Sequence, residues 1–209
     1  MNIDMHTHTN RYSICSETDP EDIIGRMMET NLDGIVITEH NAMWTATERQ
    51  QLLENAHGIL LLWGIEMTAE SGMHYLTYFD LDGSAPRLFE NMNDFELLAE
   101  VHRVGGVVIP AHIFRYGRKI KLQELENLNV YGLEIKSINI TDEEMQRSIN
   151  YAKKLNLCQI AGSDSHTAYD IGTYYTKFNY EIQNENDLIY ALKNNLCEPV
   201  TETIIHSNF

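Results

Sequence analysis

Residues 2–8 read NIDMHTH, a short apolar strand that runs directly into two histidines one residue apart. Two later stretches repeat this pattern, because GIVITEH (34–40) and LLLWGIE (60–66) are apolar runs that end in ionisable residues. Helical segments separate these runs, one beginning at Pro20 and one spanning 46–56. Apolar strands that alternate with helices predict a parallel sheet covered on both faces.

The rest of the chain continues the alternation. Further strands are predicted at 74–79, 107–112, 131–135 and 173–180, and residues 157–166 are predicted as a strand that runs into a loop. Further helices are predicted at 86–104, 141–155 and 185–195. The tail from residue 198 shows no clear pattern. About seven strands without a linker or repeat predict a single α/β domain (1–209) that closes into a small barrel, with an open doubly wound sheet as the alternative.

Ionisable side chains follow the ends of these strands. In a parallel barrel the carboxyl ends of the strands meet at one rim, and that rim carries the site. Imidazole and carboxylate groups together suit zinc, manganese or iron, and Glu66 is the candidate carboxylate for bridging two ions. His74 joins the group if its strand lies beside Glu66. The candidate metal ligands are His6, His8, His40, Glu66, His74, His112, Asp164 and His166.

Charge and cysteine content limit the classes of function. The chain has 15 basic and 31 acidic residues, a formal charge of −16. This balance argues against long nucleic acids and anionic membranes as partners, although bound cations would still allow an anionic substrate. Three cysteines without a CxxC pair predict no disulfide framework. Because no signal peptide or membrane span is seen, a cytoplasmic location is expected.

In their order, the motifs MHTHT, TEHN, GIEMT, PAHIFR and GSDSH resemble the PHP (polymerase and histidinol phosphatase) family, over residues 1 to about 175. The resemblance implies a distorted (β/α)7 barrel with two or three divalent metal ions that hydrolyses phosphoesters. It assigns the first ion to His6, His8, Glu66 and Asp164, the second to Glu66, His74 and His112, and the third to His40 and His166.

One ligand of the family pattern is missing. Many members carry an Asp or His five or six residues after the second histidine of the HxH motif, where this chain has Ser13 and Ile14. Glu17 and Asp19 are possible substitutes. The departure leaves the occupancy of the third metal position open.

The implied reaction is hydrolysis of a phosphate ester by metal-activated water, an activity of the EC 3.1 type. The candidate catalytic residues are His40, Asp164, His166 and Arg115. His166 or His40, when free of metal, is expected to protonate the leaving group. Arg115 follows His112 by three residues and suits a phosphate clamp, because a guanidinium grips two oxygens.

Neighbouring residues receive supporting roles. Arg118 and Lys119 extend the basic loop after Arg115, and Glu39 is expected either to orient His40 or to bind metal directly.

Four further aromatic, histidine and cysteine residues have expected environments. Trp44 and Tyr116 are candidates for lining the substrate mouth, with ordinary loop packing as the alternative. His102 is expected to be packed on its helix. Cys15 is not expected to act as a nucleophile, because no partner base is evident.

Two alternative functions stay open. An amidohydrolase-type enzyme also has an HxH motif after its first strand, but it usually adds a metal-bridging lysine. A noncatalytic metal-binding module would hold ions without turnover. The favoured substrate is a small phosphorylated metabolite, a nucleotide or a short nucleic-acid end. The sequence does not distinguish a monoester from a diester, and it predicts no oligomeric state.

Overall fold

The computed structural model describes residues 1–56 and 58–201, and most of the predicted tail lies outside them. The strands are β1 (Asn2–Thr7), β2 (Gly34–His40), β3 (Leu60–Thr68), β4 (His74–Tyr78), β5 (Val107–Ala111), β6 (Gly132–Lys136), β7 (Cys158–Ala161), β8 (Tyr175–Phe178) and β9 (Cys197–Val200). The helices are α1 (Pro20–Glu29), α2 (Ala46–Asn55), α3 (Asp94–Arg103), α4 (Leu122–Asn127), α5 (Asp142–Leu155) and α6 (Glu185–Lys193).

The strands curl into a distorted barrel. One sheet has the order β5–β4–β3–β2–β1–β8–β9, and β6 pairs with β7 in a separate parallel ribbon. This ribbon fills the gap in the wall, because β6 packs beside β5 and a parallel bridge joins Thr7 at the end of β1 to Ser165 after β7. Strands β1 to β7 therefore surround a common interior in chain order, which confirms the predicted barrel.

Strand β4 departs from a regular (β/α)7 pattern. It follows β3 without a helix and pairs antiparallel with both β3 and β5. Because of this direction, the first residue of β4, His74, pairs with Thr68 at the end of β3 and with Ala111 at the end of β5. The hairpin thus brings the start of one strand to the rim formed by the ends of its neighbours.

Three apolar clusters hold this frame together. Helix α6 packs Leu188 and Leu192 against residues of β1 to β5 and β7, including Leu62 and Ile109. Helices α1 and α2 pack against β2 and β3, and α3 to α5 cover β4 to β6. Burial of each such leucine or isoleucine contributes about 1.5–3 kcal/mol, so the polar rim rests on a rigid scaffold.

Capping chemistry sets where the helices begin. Thr141 accepts a hydrogen bond from the backbone N–H of Glu144, whose carboxylate accepts one from the Thr141 N–H, so α5 begins as predicted.

The prediction of a helix at 86–104 is wrong in its first half. Asn91 adopts a left-handed conformation with φ 60°, and the side chain of Asn93 caps a helix that starts only at the next residue.

The C-terminal strand corrects a second expectation. Strand β9 packs beside β7, and there Cys158 and Cys197 form a disulfide with their Cα atoms 7.0 Å apart. The prediction of no disulfide is therefore wrong, because a separation of 39 residues gave no sign that the two strands meet. Cys15 is a free, exposed thiol. Within residues 1–56 and 58–201, no helix has the length and apolar character needed to span a membrane.

Candidate metal centre

The ionisable residues at the strand ends gather at one rim. In three groups of three residues, each residue offers one potential ligand atom, and the three atoms of a group lie within 4.8 Å of one another. The groups are His6, His8 and Asp164; Glu66, His74 and His112; and His8, His40 and His166. The structure therefore brings together all eight residues predicted as metal ligands.

Glu66 lies at the centre of this arrangement and is fully buried. Its Oε1 is 2.9 Å from Nδ1 of His74 and 2.9 Å from Nε2 of His112. Its Oε2 is 2.8 Å from Nδ1 of His40 and 3.5 Å from Nε2 of His6. One carboxylate thus reaches histidines of all three groups, the position that a bridging ligand needs.

A glutamate that the sequence analysis did not single out supports the first group. Glu134 on β6 is fully buried, and its Oε1 accepts a hydrogen bond of 2.9 Å from Nδ1–H of His6. Its Oε2 accepts a second hydrogen bond of 2.9 Å from the backbone N–H of His112. Because Nδ1–H of His6 is directed at Glu134, Nε2 is the ring nitrogen that faces the centre. The signal was present as the acidic residue inside the apolar run YGLEI.

Ser13 stands where the family pattern usually has a ligand, and it makes hydrogen bonds instead. Its hydroxyl oxygen accepts from Nδ1–H of His8 at 3.2 Å and from the backbone N–H of His40 at 3.0 Å. Its O–H donates to Oε2 of Glu39 at 2.6 Å. The buried Glu39 also accepts from Nε1–H of Trp44 at 3.0 Å. Glu39 therefore orients His8 and His40 through Ser13, and among the described residues it belongs to none of the three groups.

The proposed substitutes for the missing ligand do not join the centre. Glu17 and Asp19 are both exposed, and neither belongs to the three groups found in the described residues. Asp19 instead accepts a hydrogen bond from the side chain of Asn10. The third group therefore offers the three histidines His8, His40 and His166.

An unusual backbone conformation orients two of the predicted ligands. Asp164 and His112 have positive φ angles of 55° and 29°, values that cost energy for residues other than glycine. Hydrogen bonds hold both, from the Asp164 N–H to the carbonyl of His6 at 2.7 Å and from the His112 N–H to Glu134. Gly162 allows this close approach, because a Cβ there would lie 2.7 Å from the backbone nitrogen of His6.

Burial and charge determine the protonation of the centre. Burial lowers the pKa of His8 to about 4, which leaves its imidazole neutral. Burial also acts to lower the pKa of His6, but the carboxylates of Asp164, Glu134 and Glu66 outweigh it and raise that pKa well above its usual value. Burial alone would raise the pKa of Glu66, yet the neighbouring histidines hold it well below its usual range. The carboxylates of the centre are therefore ionised.

This donor set fits divalent cations. Nε2 of His6 and Nε2 of His8 lie only 3.0 Å apart, so two ring nitrogens face the same small space. Oε2 of Glu66 is buried and, within the described residues, accepts no well-aligned hydrogen bond. Buried carboxylates packed among imidazoles favour a bound cation, and nitrogen with oxygen donors suits zinc, manganese or iron.

Arg115 lies at the edge of the centre. Its Nη1 is 3.7 Å from Oδ2 of Asp164, and its guanidinium lies over the ring of Tyr116 with 4.7 Å to the centroid. Oδ2 of Asp164 also accepts a hydrogen bond of 2.7 Å from the side chain of Asn139. Arg118 donates to the carbonyl of Gly72 at 2.6 Å. The basic loop thus lies beside the predicted ligands.

Two aromatic residues near the centre have different environments. Trp44 is buried and donates to Glu39, which agrees with loop packing, the alternative to a place at the substrate mouth. Tyr116 is exposed and lines a small pocket with His74, His112 and Arg115, which agrees with its predicted place.

Two residues that were not predicted to act at the site, His102 and Cys15, have environments that agree with this expectation. His102 packs edge-on against the ring of Tyr131, with 5.4 Å between centroids, as expected of a packed histidine. Burial, with the carboxylates of Glu66 and Asp164, raises the pKa of the Cys15 thiol, so it is protonated and a poor nucleophile at neutral pH.

Comparison with known proteins gives a family match for one segment and several structures with a similar fold. A model of the PHP-associated family matches residues 142–197, the segment from α5 to β9. The fold also matches PsfC from Pseudomonas syringae with a TM-score of 0.73 and 20% identity, over 96% of this chain and 91% of that protein. Residues 142–197 thus match the PHP-associated family, and the chain as a whole shares the fold of PsfC. A comparison with curated proteins finds no match.

Two further structures are similar to this chain. A two-domain protein from Bacteroides vulgatus, containing a predicted PHP-like metal-dependent phosphoesterase, aligns with a TM-score of 0.75 and 19% identity, over 97% of this chain and 65% of that protein. An amidohydrolase from Chromobacterium violaceum, with bound sulfate and no metal, aligns with a TM-score of 0.63 and 15% identity, over 82% of this chain and 90% of that protein.

Proposed function

We propose that this protein is a metal-dependent phosphoesterase that hydrolyses a phosphate ester of a small metabolite or short nucleotide. The observation that carries the proposal is the convergence of six histidines, Glu66 and Asp164 at one rim, with Arg115 within 3.7 Å of Asp164. Divalent ions held there would activate water and neutralise charge on a phosphate. The net charge of −16 favours a small substrate over a long nucleic acid.

Arg115 is the group that would hold the phosphate. About a quarter of its side chain is exposed, so its guanidinium is accessible beside the buried Asp164. Contact with the ring of Tyr116 restricts its motion. A planar guanidinium binds two phosphate oxygens at once, which would orient the ester for in-line attack.

Proton transfer falls to a histidine at the accessible side of the centre. In hydrolysis, the oxygen of water bonds to phosphorus, the bond to the leaving oxygen breaks, and the leaving oxygen takes up a proton. His40 and His166 have about a quarter of their side chains exposed, whereas His6 and His8 have none. Nδ1–H of His166 donates to the carbonyl of Asp164 at 3.1 Å, which holds this imidazole beside the centre.

The amidohydrolase alternative is weaker, because its bridging lysine has no counterpart among the described residues near the centre. Lys136 on β6 is the nearest candidate in sequence, but its Nζ donates to the carbonyl of Ile140 at 2.9 Å and to Asp142 at 3.1 Å. Its ammonium group is therefore held by Ile140 and Asp142 and not by the candidate metal ligands.

The test is hydrolysis of two model esters by protein stripped with a chelator and reloaded with manganese, zinc or iron. We expect turnover of p-nitrophenyl phosphate, and a loss of more than about 100-fold in Asp164→Ala and Glu66→Ala, the scale for single groups that stabilise developing charge. The exposed Glu54→Ala is the matched control. Turnover of the second ester, bis(p-nitrophenyl) phosphate, would favour a phosphodiesterase. Bound metal without turnover of either ester would support the noncatalytic module.

A further inference from the structure

A second cavity lies next to the candidate metal centre. It has a volume of about 450 Å³, within the range of small-molecule sites. Arg118 lines this cavity and also the small pocket that contains His74, His112 and Arg115. Met73 and His74, which are consecutive in the chain, line the cavity and the pocket respectively. The two spaces are therefore neighbours.

The wall of this cavity is largely apolar. Met73, Ile120 and Leu128 form its inner part and are each more than nine-tenths buried. Phe95 on the first turn of α3 forms the outer edge, and 60% of its surface is exposed. An exposed aromatic ring beside buried aliphatic side chains is typical of a site that receives a flat apolar group.

Polar contacts fix the shape of the cavity. Asp94 on its rim accepts hydrogen bonds of 2.6 Å from the hydroxyl of Ser71 and 2.6 Å from the hydroxyl of Tyr75. Arg118 is tied to the carbonyl of Gly72, which leaves others of its five N–H donors for an anion at the junction of the two spaces. The charged residues that line the cavity are Asp94, Arg118, Lys119 and Glu124, and Arg118 is the one that also lines the pocket beside the metal centre.

We infer that this cavity binds the leaving group of the substrate, and that this group carries a planar, mostly apolar ring. The inference rests on the proposed phosphoesterase function. With the phosphate between Arg115 and the predicted metal ligands, the ester oxygen would point past Arg118 towards Met73 and Phe95. The ring would then displace water from Phe95, Met73 and Ile120.

Binding of two unreactive phosphonates tests this inference without the influence of leaving-group reactivity. The metal-reloaded protein is titrated calorimetrically with benzylphosphonate and methylphosphonate. We expect benzylphosphonate to bind at least about tenfold more tightly. Phe95→Ala should reduce this preference about 3- to 10-fold, by loss of the ring contact. Asn127→Trp, an exposed substitution at the cavity wall, should reduce it by filling the space.

A matched control separates the cavity from general effects of losing an exposed phenylalanine. Phe89 is 59% exposed but does not line the cavity, so Phe89→Ala should keep the preference. Equal affinities for the two phosphonates, or a preference unchanged in both cavity variants, would overturn the inference while leaving phosphoester hydrolysis intact. Failure of both the phosphonates to bind and the model esters to react would instead refute the proposed function, and this inference with it.

Discussion

Nδ1 of His6 lies 2.9 Å from Oε1 of Glu134, although 128 residues separate them in the chain. The contact joins the first strand of the barrel to the sixth, and both side chains are fully buried. Since the same carboxylate also accepts a hydrogen bond from the His112 N–H, one residue positions members of two ligand groups. Glu134 is thus a positioning residue for the proposed metal centre.

The first prediction concerns this contact. Glu134→Gln replaces the anionic acceptor by a neutral amide and weakens the hold on the His6 tautomer. We expect metal affinity to fall about 10- to 100-fold, the usual effect of losing a partner of a metal-binding histidine. Competition with a chromogenic chelator measures this. The exposed Glu54→Gln is the control, and unchanged affinity in a folded Glu134→Gln protein would contradict the assigned role.

Removal of metal gives a second prediction. Ions that bind only the folded chain stabilise it by about 2.7 kcal/mol at a free concentration one hundred times Kd. For a domain of this size we expect the midpoint of thermal unfolding to rise by roughly 5–10 °C on addition of manganese or zinc, and to return with EDTA. Differential scanning calorimetry measures the shift. The Asp164→Ala variant should show a smaller shift than the wild-type protein. Equal shifts in the variant and the wild type would indicate that the ions bind at another site.

A third prediction tests Ser13. Ser13→Ala removes the acceptor for His8 and His40 and leaves the buried Glu39 with one donor fewer. We expect the free energy of unfolding to fall by about 1–3 kcal/mol, the cost of unsatisfied buried polar groups. Urea denaturation provides the value. Ser84→Ala, at an exposed position, should change stability by less than about 0.5 kcal/mol. A similar small change in Ser13→Ala would contradict the network.

The fourth prediction concerns pH. Burial raises the pKa of Glu185, whose Oε1 accepts a hydrogen bond of 3.1 Å from the Trp63 N–H. Because the folded state holds this proton more tightly, the contribution of Glu185 to stability is complete below pH 4.5 and is lost as pH rises through the raised pKa. Glu185→Gln does not titrate. Its free energy of unfolding, relative to wild type, should therefore increase with pH above 4.5.

Urea unfolding at a series of pH values in EDTA measures this difference, since EDTA removes the pH dependence of metal binding. Glu54→Gln should show no such trend, because this residue is exposed in the native state. A relative stability of Glu185→Gln that is constant or falls over the same range would show that Glu185 does not titrate as its burial implies.

The parts of the fold that follow from local pattern were predictable. Apolar runs identified β1, β2 and β3, and the acidic first turn identified α5, because burial and capping act on neighbouring residues. The direction of β4 was not predictable, since its short apolar run is compatible with either orientation. The position of His74 depends on that direction, and only the pairing of Thr68 with His74 reveals it.

The site shows the same division. Histidines at strand ends are visible in the sequence, because parallel strands bring their ends to one rim. Glu134 was missed because it lies within a strand and contacts His6 only through the closed barrel. The hydrogen-bonding role of Ser13 and the pairing of Cys158 with Cys197 likewise depend on long-range packing that spacing does not encode.

The meeting of β1 with the segment after β7 has a consequence for biosynthesis. The Asp164 N–H bonds to the carbonyl of His6, and the His8 N–H to the carbonyl of Ser165, so the first group of ligands exists only once both ends of the barrel are present. A nascent chain that has not yet emerged past His166 lacks this pocket, whatever the surrounding ion concentration. On the proposed function, ions would therefore bind at this group only late in the maturation of the protein.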